Sequence, residues 1–367
     1  MTSSKWLAVI VAAAILVIGV AACGGSDDET GTSGGGSAEN LSGQVAGAGA
    51  SSQEAAQEAW IANFEAEQAD VTMSYDPVGS GGGREQFIAG GVAYAGSDSA
   101  ISSEENELSK AVKRCAPGEL IEIPAYVSPI AVVYNLPEVE ELQLSPETVA
   151  KIFNQEITEW NDKAIAGDNP GVELPDTRIT PVNRSDESGT TENFTEYLSE
   201  VVPSVWTHEV SGDWPVKGGE AASGTSGVVD AVTNGEGAIG YADASQAGDL
   251  GVASIGVGEG FEQPTPEAAA KILEVSPPAE DAGEKQMIFD LDYTTDEAGV
   301  YPIVLTSYLI ACPSYSDAAE GDLVKAYLAY VLSEVGQQTA ADNAGSAPLA
   351  SSIAEEAQAI VHGIEVG

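Results

Sequence analysis

The chain is poor in positive charge. Its 367 residues carry 13 lysines and arginines against 58 aspartates and glutamates, for a formal net charge of -45. Nucleic-acid binding needs basic groups that displace counterions from phosphates, so a DNA or RNA partner is excluded. Histidine is scarcer still, with only His208 and His362. A serine nucleophile needs an activating base held by a third group. His208 sits beside Trp206 in a polar loop and His362 near the end, so neither suits that task. Cysteine occurs three times, at Cys23, Cys115 and Cys312, without the close spacing that holds zinc. No metal site and no cofactor is expected, and no internal repeat of fixed period is visible.

Hydrophobic residues make up 43% of the chain, enough for a folded body, and its length suits two domains. With 41 glycines and 18 prolines, many short loops should join short elements. The first residues are set apart from this body. Lys5 is followed by an apolar run over 6–22, and Val20-Ala21-Ala22-Cys23 closes it. Small residues directly before a cysteine resemble the lipobox of bacterial lipoproteins, in which the cysteine is acylated. Residues 1–22 are then a signal peptide and Cys23 the lipidated first mature residue. A plain transmembrane helix is the alternative, but the run is 17 residues long, short of the roughly 20 that a span needs. Residues 23–44 read as a lipid-anchored Gly/Ser tether with too little apolar surface to fold. Export places Cys115 and Cys312 in an oxidising setting, which suggests one disulfide; two buried free thiols are the other reading.

Along the body, strand-like and helix-like segments alternate. A short strand is expected over 45–50, then a helix from Ser51 with a Ser51/Glu54 capping box. Ala56, Trp60 and Phe64 fall on one face of that helix. Further strands are expected over 71–75, 130–134, 179–183, 238–241 and 301–312. Helices are expected over 84–89, 147–153, 190–199, 228–233, 323–332 and 352–360. Gly79 to Gly83 reads as a break, and 248–284 has no clear pattern. This repetition requires a parallel or mixed sheet with helical crossovers.

Four loops share Gly, Ser and Thr beside a helix start. They are Gly49-Ala50-Ser51-Ser52, Gly79-Ser80-Gly81-Gly82, Ser188-Gly189-Thr190-Thr191 and Gly224-Thr225-Ser226-Gly227. First-turn N–H groups and the helix dipole bind anions without basic side chains. Singly, such a loop is an ordinary capped turn; together they point to an anion site. Arg184 stands where a strand ends, and its planar fork matches a tetrahedral oxyanion. Its other use is a salt bridge, with Asp186 at hand to hold it. Asp98 is out of place beside an anion unless that anion carries a proton. A carboxylate can accept from a P–OH, whereas sulfate offers it only lone pairs. Composition alone equally allows Asp98 as a helix cap beside Ser97 and Ser99.

On these residues the chain resembles the phosphate-binding lipoproteins of bacterial ABC-type phosphate importers. Gly47-Ala48-Gly49-Ala50-Ser51-Ser52, the stretch 75–83, Ala95-Gly96-Ser97-Asp98 and Arg184-Ser185-Asp186-Glu187-Ser188-Gly189-Thr190-Thr191 carry the likeness. It implies a two-domain periplasmic-binding-protein-like α/β fold. Each domain would be a mixed sheet flanked by helices, with a hinge and a ligand cleft between. The first lobe would comprise 45–126 plus 301–367, and the second 127–300. Phosphate ligands would fall on Ser51, Ser52, Ser80, Asp98, Arg184, Ser188, Gly189 and Thr190, with Asp186 in support. A Cys115–Cys312 bridge would pin the returning segment of the first lobe. Two departures stand out. Ser51-Ser52 replaces a Thr-Phe pair common in the family, and the loop at 224–227 lacks a frequent asparagine, which turns it toward the domain interface.

The implied role is an extracytoplasmic, monomeric, non-enzymatic binding protein, lipid-anchored to the outer face of the cell membrane. It would hand inorganic phosphate to the permease and ATPase of an importer. The rivals are a binding protein for another oxyanion, a phosphate sensor without transport, and a phosphate-ester hydrolase using Ser51 or Ser188.

Overall fold

The computed structural model describes residues 41–101, 106–115, 119–280 and 282–367. The expected signal peptide, Cys23 and the tether as far as residue 40 lie outside them. The tether ends before residue 44. Strand β1 (Ser42–Gly49) starts within it, and Ser42 and Gly43 pair in parallel with Asp70 and Val71 of β2 (Asp70–Asp76). Strand pairing uses backbone groups, so polar Gly/Ser composition did not prevent it. Between them one 3-10 turn (Ser51–Gln53) leads into α1 (Glu54–Glu67), where Ala56, Trp60 and Phe64 are buried as their spacing requires. Trp60 meets Tyr126 edge-on at 6.0 Å and donates from Nε1 to Gly336 O at 2.7 Å.

Helix α2 (Ser80–Ala89) starts at Ser80, so the glycines at 81–83 are helical and do not break the chain. Only Gly79, at φ 91°, makes the turn. A Cβ on Gly83 would stand 2.3 Å from Gly49 Cα, so glycine here lets α2 lie against β1. After β3 (Tyr94–Ser97) and α3 (Glu107–Arg114) comes β4 (Ile121–Tyr134), 14 residues long and buried throughout.

The chain continues through β5 (Gln143–Leu144), α4 (Pro146–Phe153), α5 (Lys163–Asp168), β6 (Thr180–Arg184), α6 (Gly189–Val201), β7 (Glu220–Ala222), α7 (Gly224–Asn234) and β8 (Ala238–Asp243). The stretch without clear pattern holds β9 (Gly251–Val252), β10 (Ser254–Val257), β11 (Gly260–Glu262), α8 (Pro266–Ala270) and α9 (Ile272–Val275). Last come β12 (Val304–Ala311), β13 (Ser314–Tyr315), α10 (Ala318–Val331), α11 (Glu334–Ala344), α12 (Ser351–His362) and β14 (Glu365–Val366).

The main mixed sheet runs β2-β1-β3-β12-β4-β8-β6-β7, with β9 also on β4. Strand β4 is its spine. Its first part pairs antiparallel with β12, and Ile130 to Tyr134 pair antiparallel with β8. Pro124 sits where the β12 register shifts between Ser307 and Tyr308, a place that tolerates a missing N–H. The sheet thus has two halves, and the expected boundaries do not follow them strictly. Val127 and Pro129 pair with Thr306 and Val304, while Lys285 and Met287 hydrogen-bond to the backbone of Glu122. Most buried apolar side chains form one large core, and a smaller one lies between α7 and its strands, around Val133, Val182, Val228 and Val232. Cys115 and Cys312 are joined in a disulfide with Cα atoms 5.0 Å apart, tying the end of α3 to the end of β12.

Candidate functional site

Three loops of one sheet half are bound to each other first. Ala50 N–H donates to Gly96 O, and Gly79 N–H to Gly49 O, each at 2.9 Å. The contact is tight: a Cβ on Gly49 would stand 1.9 Å from Gly96 O. The loops bring Ser51, Ser52, Ser80 and Asp98 together, all of them buried. The capping box does not form. Ala50 takes the cap position without a side-chain bond, and the Ser51 hydroxyl turns away from its own helix. Its Oγ accepts from Thr225 N–H at 3.0 Å and lies 3.1 Å from Thr225 Oγ1. The loop at 224–227 therefore meets the first loop across the sheet halves.

Asp98 is 2% exposed and gathers hydroxyls from three directions. Its Oδ2 accepts from Ser52 Oγ at 2.6 Å and Thr190 Oγ1 at 3.2 Å, and its Oδ1 from Ser307 Oγ at 2.7 Å. Its N–H donates to Ser80 Oγ at 3.2 Å, and its carbonyl accepts from Asn193 Nδ2 at 2.7 Å. Burial pushes the carboxyl up. The bonds from Ser52 and Ser307, the Arg184 charge and Thr190 pull the other way without cancelling it.

The other half contributes the end of β6 and the start of α6. Arg184 is 3% exposed, and Asp186 takes two of its nitrogens: Nε to Oδ1 at 2.9 Å and Nη2 to Oδ2. Asp186 Oδ1 also accepts from Gly224 N–H at 3.0 Å. Burial raises the Asp186 carboxyl, but the bond and charge of Arg184 outweigh it and hold the group below the usual range. Among the described residues Arg184 Nη1 has no hydrogen-bond partner. Ser188 does cap its helix, accepting from Thr191 N–H at 3.3 Å. A Cβ on Gly189 would come within 2.6 Å of Ser80 Oγ and 2.8 Å of Asp98 Cβ, so the start of α6 lies on the Ser80–Asp98 wall.

Ser52, Ser80, Asp98, Gly189 and Thr190 are in direct contact. Ser51 joins through Thr225, and Arg184 through Asp186 and Gly224. Asp98 also borders a cavity of about 430 Å³ with Asn193, Glu196 and Thr306, which Arg184 does not line. Sequence reasoning missed Ser307, Asn193 and Arg84, while Thr225 falls in a loop it had turned toward the domain interface. A serine inside the apolar run 301–312 was the only signal for Ser307. The arrangement offers hydroxyls, helix-start N–H groups and one guanidinium to an oxyanion, and one carboxylate to a proton. Among the described residues no acid, histidine or cysteine group could hold a metal ion. His208 is engaged with Asn154 Oδ1 at 3.1 Å and Trp206, away from these serines.

A PBP superfamily domain matches residues 35–335. Phosphate-binding protein PstS3 of Mycobacterium bovis is 34% identical over 300 residues, covering 80% of each chain. Phosphate-binding protein PstS of Xylella fastidiosa is 31% identical over 291 residues, covering 77% of this chain and 76% of its own. The chain belongs to the PstS family of that superfamily. The PstS fold is seen again in a high-affinity periplasmic phosphate-binding protein solved with phosphate bound. It has a TM-score of 0.70 at 24% identity, over 86% of this chain and 93% of that one. A Clostridium perfringens protein solved with phosphate bound gives 0.57 at 19% identity, over 82% and 97%.

Proposed function

We propose that this chain captures inorganic phosphate between its two sheet halves and delivers it to an ABC importer. It acts as a binding protein, not an enzyme, in keeping with the binding names of its PstS relatives. Ser51, Ser52, Ser80 and Asp98 form one wall. Arg184, Ser188, Gly189 and Thr190 form the other, with Asp186 fixing the arginine. The lobes, 45–126 plus 301–367 and 127–300 except for residues 127–129 that still pair with β12, hinge where β4 passes from β12 to β8. Phosphate touches both walls, so it favours the closed form through contacts the open form lacks. The protein works as a monomer on the outer face of the membrane, held by lipid on Cys23, and meets the importer's permease and ATPase subunits there.

Asp98 carries this reading. A buried carboxylate in an oxyanion site repels any ligand without a proton to share. Phosphate brings a P–OH for Asp98 to accept from; sulfate does not. A hydrolase would need a base bonded to Ser51 or Ser188, and the partners of these hydroxyls, Thr225 and Thr191, are not bases. The test is a calorimetric competition of phosphate, arsenate and sulfate. Phosphate and arsenate should compete for one site, and sulfate should be rejected. Asp98→Asn should narrow the phosphate-to-sulfate preference by about tenfold or more, the cost of facing an unpaired acceptor. Equal affinity for phosphate and sulfate in the wild type would overturn the reading.

A further inference from the structure

The phosphate reading leaves one buried cation without a task. Arg84 of α2 is 6% exposed, and each of its three guanidinium nitrogens is engaged. Nε donates to Glu107 Oε1 at 2.9 Å, and Nη1 to Ser97 Oγ at 3.0 Å and Ser99 Oγ at 2.9 Å. Nη2 reaches the opposite half of the sheet and donates to Glu187 Oε1 at 3.0 Å. Ser97 and Ser99 flank Asp98 in sequence, and Glu187 stands between Asp186 and Ser188. One arginine therefore grips the neighbours of both oxyanion-facing segments.

The Glu187 carboxylate is wedged as well as paired. A Cβ on Gly81 would stand 1.5 Å from its Oε2, and a Cβ on Gly212 2.4 Å from its Oε1. Glycine at both positions lets the carboxylate sit between the first turn of α2 and the loop at 212. The pair is not sealed. It lines a groove of about 620 Å³ that Lys110 and Asp213 share.

We propose that Arg84 and Glu187 form a latch that engages only when the two sheet halves close, and that it slows phosphate release. Glu187 is then a positioning residue for capture. This rests on the phosphate reading, and it settles an apparent conflict. A carboxylate next to an anion site weakens binding by repulsion unless its charge is used elsewhere. Arg84 uses it, and only in the closed form.

Two explanations of Glu187 thus differ in sign. As a mere local charge, its removal should tighten phosphate binding. As a latch, its removal should loosen it. Stopped-flow release from phosphate-loaded protein, followed by tryptophan fluorescence, measures this directly. Glu187→Gln should raise the release rate about fivefold with little change in association, the scale of a part-exposed ion pair. Arg84→Lys keeps the charge but loses the fork, and should speed release similarly. The double variant should add little to either, because both changes remove the same bond. Added salt should speed release from the wild type more than from Glu187→Gln. No phosphate binding by the wild type would sink the function reading itself. A wild type that binds, with unchanged or slower release in Glu187→Gln, overturns the latch alone. Arg84→Lys gives an independent measure should the other variant fold poorly.

Discussion

Ser51 and Ser188 stand at equivalent places, each where a strand turns into a helix on one wall of the cleft, yet their hydroxyls do opposite work. Ser188 stays local and caps α6 through Thr191. Ser51 leaves its helix uncapped, and its start tightens into a 3-10 turn. The hydroxyl is spent instead on Thr225, which belongs to the other half of the sheet. The acids beside them diverge too. Asp98 has no adjacent cation bonded to it and is pushed up by burial; Asp186 holds Arg184 and is pulled down. The arginine side therefore finds its partners locally, Arg184 on Asp186 and Ser188 on Thr191. On the Asp98 side the polar groups find partners in the other half of the sheet, Ser51 on Thr225 and Asp98 on Thr190. A protein built this way can hold its arginine ready while open and complete the remaining bonds only on closing.

The hardest test of that asymmetry is Arg184→Ala. It removes the arginine of the site and leaves half-buried Asp186 without its partner. Phosphate affinity should fall about a hundredfold or more by calorimetry, given the loss of charge-assisted bonds to the anion and the unpaired carboxylate left beside it. An unchanged dissociation constant would leave the contrast between the walls without a function. The serines provide a finer test, read from thermal melts with and without phosphate. Ser188→Ala loses a helix cap and should cost about 1 kcal/mol in both conditions. Ser51→Ala should barely move the ligand-free melt but should lose part of the stabilisation that phosphate confers, equivalent to an affinity drop of about fivefold. Equal losses in both melts for the two variants would mean that Ser51 is an ordinary cap.

How much of this the sequence displayed follows the same contrast. Arg184 through Thr191 could be read directly, because strand end, arginine, cap and helix are contiguous and their bonds are local. The helix face of Ala56, Trp60 and Phe64 was equally plain from its spacing. What stayed hidden is whatever depends on partners far along the chain. Ser51 looked like the start of a capping box, since Glu54 follows at the right distance. Only Thr225, 174 residues away, decides otherwise. The glycines at 81–83 looked like a break because their use is to admit the backbone of β1 and the Glu187 side chain, neither of which local pattern encodes. Ser307 carried no local sign of its bond to Asp98. Strand β4 gave its apolar run but not its role as the spine shared by both halves.

The smallest effect separates the acids by pH. Burial raises Asp243 to about 6 and Glu122 to about 7, each against the hydrogen bonds it accepts, from Ser245 and from Ile101 and Gln286. Glu196 also lies at about 7, raised by burial and by its acidic neighbours against a bond from Tyr293. Unfolded carboxyls titrate at about 4. Between about pH 4 and 7 the native state thus binds more protons than the unfolded one, and stability must fall as pH rises. The contribution is whole below the unfolded value and gone once pH passes the folded values. Asp186 has the opposite sign, because its lowered carboxyl stabilises above the unfolded value and loses that effect as acid protonates it. Together they place maximum stability on the acid side of neutrality, with the melting temperature falling by about 5 °C or more from pH 5 to pH 8. Mutual repulsion of the surplus acids acts in the same direction, so one variant must isolate the buried groups. Asp243→Asn keeps Oδ1 as an acceptor for Ser245 and removes one titration, so it should flatten the slope. A slope identical to that of the wild type would assign the whole effect to surface charge and remove buried carboxyls as its cause.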